Sequence, residues 1–461
     1  MDNYRYLISV HNDNLAIGKT GRPRFFVCTY GCQMNSRDSE KLAGLLSQLG
    51  YNAAASQEDA DLVLYNTCCV RESAEDRIFG NLGRLKRAKV DKPGLIVGVC
   101  GCMTQQPEIA ERIRQKHSYI NLVFGTLNRH RLPELLWRAI ETGKQVIDIS
   151  EADGLPELTD IPVTSREFSH KAGVNIMYGC DNFCSYCIVP YVRGREKSRP
   201  IQDILQEVQA LAADGVKEIM LLGQNVNSYK GNATFAELLH QVSGINGIER
   251  IRFMTSHPKD FSDDLIKAVA ELPNVCKSVH LPIQSGSKRI LEDMNRKYTQ
   301  ADYLRLVERL RAAIPGLAIS TDIIVGYPGE TEEDFDATLE VVRRVRFSNA
   351  FTFLYSKRSG TPAAQRTDTI PPQIASERYD RLVVELSPIL LEINQAKIGQ
   401  TFDTMVEEVN ANDYKGRADD HSLVHFTSEI PLQPGDIVPV RITHAKTFYL
   451  SGCHEKGGSN V

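Results

Sequence analysis

Tyr178-Gly179-Cys180-Asp181-Asn182-Phe183-Cys184-Ser185-Tyr186-Cys187 begins where the apolar run Val174–Tyr178 ends. Its cysteines are spaced Cys-x₃-Cys-x₂-Cys, so three thiolates fall within eight residues and can wrap one face of a cubane. Sulfur ligation is what iron–sulfur clusters use. The fourth iron has no local cysteine and is open to the amino and carboxylate groups of a small molecule. That arrangement allows inner-sphere electron transfer to the molecule's sulfonium, with the protein orienting the cofactor's own radical chemistry. A structural zinc site completed by His257, His280 or Cys276 is the competing reading, although zinc more commonly pairs its ligands as Cys-x₂-Cys.

Downstream, apolar runs at Glu218–Leu222, Ile251–Thr255, Ser278–Pro282, Ala318–Val325 and Ala350–Leu354 alternate with helical stretches such as Ile201–Ala213, Phe261–Glu271 and Ala301–Ala313. With Val174–Tyr178 they give six βα units. These predict an α/β fold with a central partial (β/α)₆ barrel whose polar strand ends gather at one mouth. A flat doubly wound sheet fits the same periodicity. Gly223, Gln224 and Asn225 after the second run, and Ser320, Thr321 and Asp322 on the fifth, are candidate cofactor or substrate contacts. The glycine-bearing turns Gln284–Ser287 and Gly326–Glu330 lack the Gly-Lys-Ser/Thr ending of a P-loop, which argues against direct ATP chemistry.

Upstream, the runs Arg24–Tyr30, Asp61–Thr67, Leu95–Val99 and Asn121–Phe124 are each followed by a candidate helix, which reads as a Rossmann-like parallel-sheet domain. Cys32, Cys68 and Cys102 stand at the ends of these strands. Carboxyl ends of parallel strands converge on one crevice, so a second three-thiolate site is expected there. Cys28 and Cys100 fall inside apolar runs, where a free cysteine acts as a small buried hydrophobe; Cys69, adjacent to Cys68, stays open as a ligand. An incomplete ligand set leaves an iron able to hold an external sulfide, which suggests sulfur insertion rather than a plain electron relay. Zinc chelation is again the alternative.

After Lys397, short β-prone runs separated by turn signals at Asn412–Asp413 and Pro434–Gly435 predict a small all-β barrel. The expected organisation is an extension over 1–22, the first domain over 23–142, a linker over 143–165, the barrel domain over 166–396 and the small β-barrel over 397–461. With 54 basic and 58 acidic side chains the formal net charge is −4, so a nucleic-acid partner must be met by a local patch. Arg193, Arg195, Lys197 and Arg199 recur at every second position and, if extended, would face RNA phosphates together. Arg343, Arg344 and Arg346 are a possible enlargement of that patch or ordinary surface charge. No leader or long apolar segment is seen, which predicts a cytoplasmic, non-membrane protein in which eleven cysteines serve as thiols or metal ligands rather than disulfides. A monomer is the default.

The segments Thr29-Tyr30-Gly31-Cys32-Gln33-Met34-Asn35 and Asn66-Thr67-Cys68-Cys69-Val70-Arg71-Glu72, with the central trio, closely resemble the radical S-adenosylmethionine methylthiotransferases, over almost the whole chain after its first twenty or so residues. The resemblance implies an N-terminal methylthiotransferase domain whose Cys32, Cys68 and Cys102 hold an auxiliary [4Fe-4S] cluster. It also implies a radical domain whose Cys180, Cys184 and Cys187 hold the cluster that cleaves S-adenosyl-L-methionine, and a C-terminal TRAM domain. It favours Cys68 over Cys69, although the second cysteine departs from the alanine or serine often found there, and it places Tyr186 beside the cofactor's adenine. Within the family the two segments are similar to the branch acting on transfer RNA with N6-isopentenyladenosine at position 37, to which a methylthio group is added at C2. One S-adenosylmethionine would donate a methyl group to cluster-associated sulfur and another would yield a 5′-deoxyadenosyl radical. An electron donor such as flavodoxin or ferredoxin, and a sulfur or cluster carrier, are implied partners. The threonylcarbamoyladenosine branch is the nearest alternative, followed by the ribosomal-protein branch; a zinc and RNA-binding module without activity is the alternative of another class.

Overall fold

The computed structural model describes residues 2–17, 21–69, 72–150 and 166–455, so most of the expected linker lies outside the described residues. The chain forms two compact units: residues 1–167 with 178–180 and 188–197, and residues 168–177 with 181–187 and 198–461.

In the first unit a six-stranded sheet runs in the order Asn52–Ala53, Arg24–Thr29, Leu62–Thr67, Ile96–Gly101, Leu122–Gly125, Val146–Asp148, and every pairing is parallel. Alternate residues of Leu62–Thr67 explain its continuous apolar run. Leu62 and Leu64 pack with Leu45, Leu46 and Phe124 on one face, while Val63 and Tyr65 pack with Leu82, Val97 and Ile113 on the other. A parallel strand buried on both faces shows no polar alternation. The sixth strand falls in the stretch expected to be linker, because three residues are too few to display a period. The expected extension contains the helix Asp2–Ile17; its Ile8 is buried in the sheet's core and Asn12 Nδ2 donates to Leu49 O at 2.8 Å.

In the second unit Lys171–Asn175, Glu218–Leu222 and Arg250–Phe253 form one parallel set, and Ser278–His280, Ala318–Val325 and Asn349–Leu354 another. A bridge between Ile251 and Val275 and the bond from Ser256 N to His280 O, 3.2 Å, join the sets. Strand order in space therefore follows strand order in the chain, which is the open barrel and not the doubly wound alternative. Element ends follow local chemistry. The expected helix from Phe261 starts instead at Asp263 because Ser262 caps it, accepting from Leu265 N. Thr234 with Glu237, Thr299 with Asp302 and Thr331 with Asp334 close capping boxes. The fourth strand stops before Pro282, which has no N–H to offer a ladder.

The remainder of this unit closes a five-stranded barrel in the order Thr401–Asn410, Asp413–Ala418, Leu423–Thr427, Leu450–His454, Ile437–Ala445. Asp413–Ala418 was not expected as a strand: Asp-Tyr-Lys-Gly-Arg-Ala is polar and carries Gly416, whose missing side chain lets Met405 O approach to 2.2 Å of where a Cβ would sit. Arg250 and Arg252 fasten this barrel to the strands. Arg250 donates to Arg417 O at 2.8 Å and Asp403 O at 2.6 Å. Arg252 donates to Glu218 at 2.9 Å and to the Asp419 and Ala418 carbonyls at 2.9 and 2.8 Å. Because Arg252→Ala would leave Glu218 buried without its counter-charge, it is expected to cost ~3–5 kcal/mol, read as a lowered denaturant midpoint of the full chain.

Candidate iron–sulfur sites

Three strand ends of the first unit interlock through their glycines. Gly31, at φ +125°, lies so close to Cys68 that a side chain there would put its first carbon 2.4 Å from Cys68 Cβ. Gly101, at φ +104°, lies equally close to Thr67 O, and Cys102 N donates to that same carbonyl at 2.9 Å. Asn35 ties the turns together, its Nδ2 donating to Tyr30 O at 2.9 Å and Thr67 O at 3.0 Å. Cys32 is exposed, and Cys68 and Cys102 are buried. This all-thiol set at converging strand ends suits an iron–sulfur cluster. Gly31→Ala is expected to lower stability by ~1–3 kcal/mol through backbone strain and to reduce iron retained by the first unit, measured as iron per chain after reconstitution.

The neighbouring cysteines separate by environment. Burial pushes the thiols of Cys28 and Cys100 up. Cys69 is buried beside Cys102, and its thiol is pushed up first by the hydrogen bond it gives Cys102 and then by burial. The same bond, opposed by burial and aided by the Arg193 guanidinium, holds Cys102 well below the usual thiol range, which favours the thiolate that a metal needs. Among the described residues, no three His, Cys, Asp or Glu side chains gather around a single-ion position.

The central trio is held by its loop. Cys180 N donates to Gly194 O at 3.2 Å in the first unit. In the second, Phe183 takes a left-handed conformation at φ +44° between Cys180 and Cys184, and Asn295 Nδ2 donates to Asn182 O and Phe183 O at 3.2 and 3.0 Å. Cys187 N donates to Cys184 O at 2.9 Å. Arg296 is buried and directs Nη1 to Cys184 Sγ at 3.5 Å, while its Nη2 donates to Pro282 O at 3.0 Å. Tyr186 is half-buried against Ile290, Met294, Tyr327 and Ala363, and burial pushes its phenol up.

The other expected contacts divide. Ser320 Oγ lies 3.0 Å from His280 Nδ1 and Asp322 lies 3.4 Å from its Nε2, so both gather on one histidine of the barrel. Gln224 is half-buried. Asn225 is turned to the protein, donating to Asp260 at 2.8 Å and accepting from His257 N at 3.1 Å. Gly223 answers to packing, since a side chain there would meet Met177 at 2.5 Å.

The expected face of four cations does not form. Arg193 ends the helix Val189–Arg193 instead of extending a strand, and only Lys197–Ser198 is extended. Arg193 is 5% exposed and Arg199 2% exposed; the latter donates to Asn175 O and Glu207, both at 2.6 Å. Arg195 is exposed and Lys197 half-buried. Arg343, Arg344 and Arg346 pair with Glu385, Glu340 and Glu392. Sequence reasoning missed Asn35, Asp38, Arg129 and Arg296, whose burial no period announces, and Thr255, a β-branched residue at φ +60° after the third strand.

A family model described as the Radical SAM superfamily matches residues 174–342, and one described as Uncharacterized protein family UPF0004 matches residues 24–125. A tRNA-2-methylthio-N(6)-dimethylallyladenosine synthase of Acetivibrio thermocellus is 51% identical over 442 residues, 94% of this chain and 92% of that protein. The chain belongs to this synthase family. Further relatives with the same name come from Caldicellulosiruptor saccharolyticus, 52% identical over 94% of this chain and 93% of theirs, and Clostridioides difficile, 46% identical over 97% and 95%. The synthase fold resembles the radical S-adenosylmethionine methyltransferase TsrM of Kitasatospora setae with cobalamin and a [4Fe-4S] cluster bound, at TM-score 0.55 and 16% identity over 74% of each chain. It also resembles the cobalamin-dependent radical enzyme OxsB, at TM-score 0.51 and 12% identity over 80% of this chain and 56% of that one.

Proposed function

We infer that this chain is a transfer-RNA methylthiotransferase that converts N6-isopentenyladenosine at position 37 to its 2-methylthio derivative. The observation that carries this reading is near full-length similarity to the synthases at about half identity, in a chain that carries both cysteine triads. Cys180, Cys184 and Cys187 hold one [4Fe-4S] cluster and Cys32, Cys68 and Cys102 a second, each with an iron left for an outside ligand. Bound S-adenosyl-L-methionine supplies the methyl group and the hydrogen-abstracting radical. The protein's own part is positional. Asn295 fixes the loop of the central trio, Arg296 orients Cys184, Tyr186 stands next to Cys187, and Ser320 and Asp322 with His280 present polar groups toward cofactor or substrate. Arg195, which is exposed, and Lys197, which is half-buried, are candidates for phosphate contact. Among the described residues no helix is long and apolar enough to cross a membrane. The reading includes a cytoplasmic monomer, an electron donor such as flavodoxin or ferredoxin, and a sulfur or cluster carrier.

The test is mass spectrometry of nucleosides after incubating the reduced, reconstituted enzyme and S-adenosylmethionine with defined transfer RNAs. A methylthio mass increase on isopentenyladenosine is expected. An increase on threonylcarbamoyladenosine alone would overturn the substrate assignment.

A further inference from the structure

Arg193 is placed where an RNA contact cannot be its role. Its Nε–H points at Cys102 Sγ, 3.2 Å away, and Nη2 donates to Asn35 Oδ1 at 2.7 Å and Asp38 Oδ2 at 3.2 Å. Asp38 also pairs with Arg129, and all three charged side chains are almost fully buried. Burying an arginine is costly unless its donors are satisfied. Here the planar fork is clamped at one end by Asn35 and Asp38, which leaves Nε–H aimed at sulfur in a geometry that lysine cannot reproduce. Asn35 is the residue that ties the Tyr30 and Thr67 turns, so the guanidinium is indexed to the frame that carries the cysteines. Two buried arginines share Asp38, and Arg193 is the one that reaches Cys102.

Hydrogen bonds to a ligating sulfur and nearby charge are among the levers that set a cluster's reduction potential. An N–H to the thiolate draws electron density from the iron, and positive charge favours the more negative, reduced cluster. We propose that Arg193 is a positioning residue of the first-unit cluster, fixing Cys102 and raising that cluster's reduction potential, with Asp38 limiting the rise. This rests on Cys32, Cys68 and Cys102 holding a cluster, which iron and sulfide counts on the same samples test separately.

The experiment uses the full-length chain with Cys180, Cys184 and Cys187 replaced by alanine, so that only the first-unit cluster is titrated, with its midpoint followed by electron paramagnetic resonance. Arg193→Gln is expected to lower the reduced-to-oxidised ratio at fixed potential by ~tenfold, equal to about 59 mV for a one-electron couple. Arg193→Lys should give a smaller fall because it keeps the charge, and Asp38→Asn a rise. Opposite shifts in Arg193→Gln and Asp38→Asn distinguish tuning from mere loosening, which would not reverse sign. An unchanged midpoint in Arg193→Gln with its cluster intact overturns the proposal. If Arg193→Gln loses its iron, the sign of the Asp38→Asn shift decides, and an unchanged or lowered midpoint there overturns it. A parent background without iron and sulfide overturns the reading beneath it.

Discussion

A Cys184→Ala chain is expected to form no 5′-deoxyadenosine above background when reduced with S-adenosylmethionine, even while the first unit keeps its iron. In the proposed cluster each thiolate of the trio would hold a different iron, and the loop around Cys184 is pinned by Asn295 at Asn182 O and Phe183 O and by Ser185 N at Met294 O, 3.0 Å. The loss should therefore be complete rather than partial. Chromatographic quantification of 5′-deoxyadenosine measures it, and formation at the parent rate would remove the central trio from its assigned role.

The second large effect is its mirror image. Cys102→Ala is expected to keep S-adenosylmethionine cleavage and make no methylthio product, because it removes the thiolate held down by Cys69 and Arg193 while leaving the central loop untouched. Product mass spectrometry and 5′-deoxyadenosine yield, taken from one reaction, separate the two functions. Cys69→Ala is the matched control: with Cys68 as the proposed ligand it removes a donor to Cys102 and should retain product. Product from Cys102→Ala together with none from Cys69→Ala would exchange the roles of the two residues.

Much of this was legible because it is written at the ends of strands. The period-2 and continuous apolar runs placed Glu218–Leu222 and Ala318–Val325 to the residue, and run ends in the first domain and after Val174–Tyr178 marked where candidate cysteines stand, while the choice of Cys68 over Cys69 came from the family resemblance. The Asp413–Ala418 strand was not legible, since its polar residues and Gly416 follow the turn signal at Asn412–Asp413 without a β-prone run, although ladders to two neighbours define it. The alternation of Arg193, Arg195, Lys197 and Arg199 misled for a related reason. A period of two has meaning only in extended chain, and Val189–Arg193 is helical. Buried charge is the signal that sequence hides most thoroughly. Asp38 and Arg129 stand in segments where no period marks burial, yet they pair inside the first unit.

The claim on which all of this depends is that one chain carries two separate iron–sulfur clusters, one for each triad. The direct measurement is anaerobic iron, acid-labile sulfide and zinc content of the reconstituted parent beside the Cys180, Cys184, Cys187→Ala and the Cys32, Cys68, Cys102→Ala chains. Half of the parent's iron and sulfide in each variant, with negligible zinc, is the expected result. Stoichiometric zinc without sulfide, or full loss of iron on removing either triad alone, would contradict it.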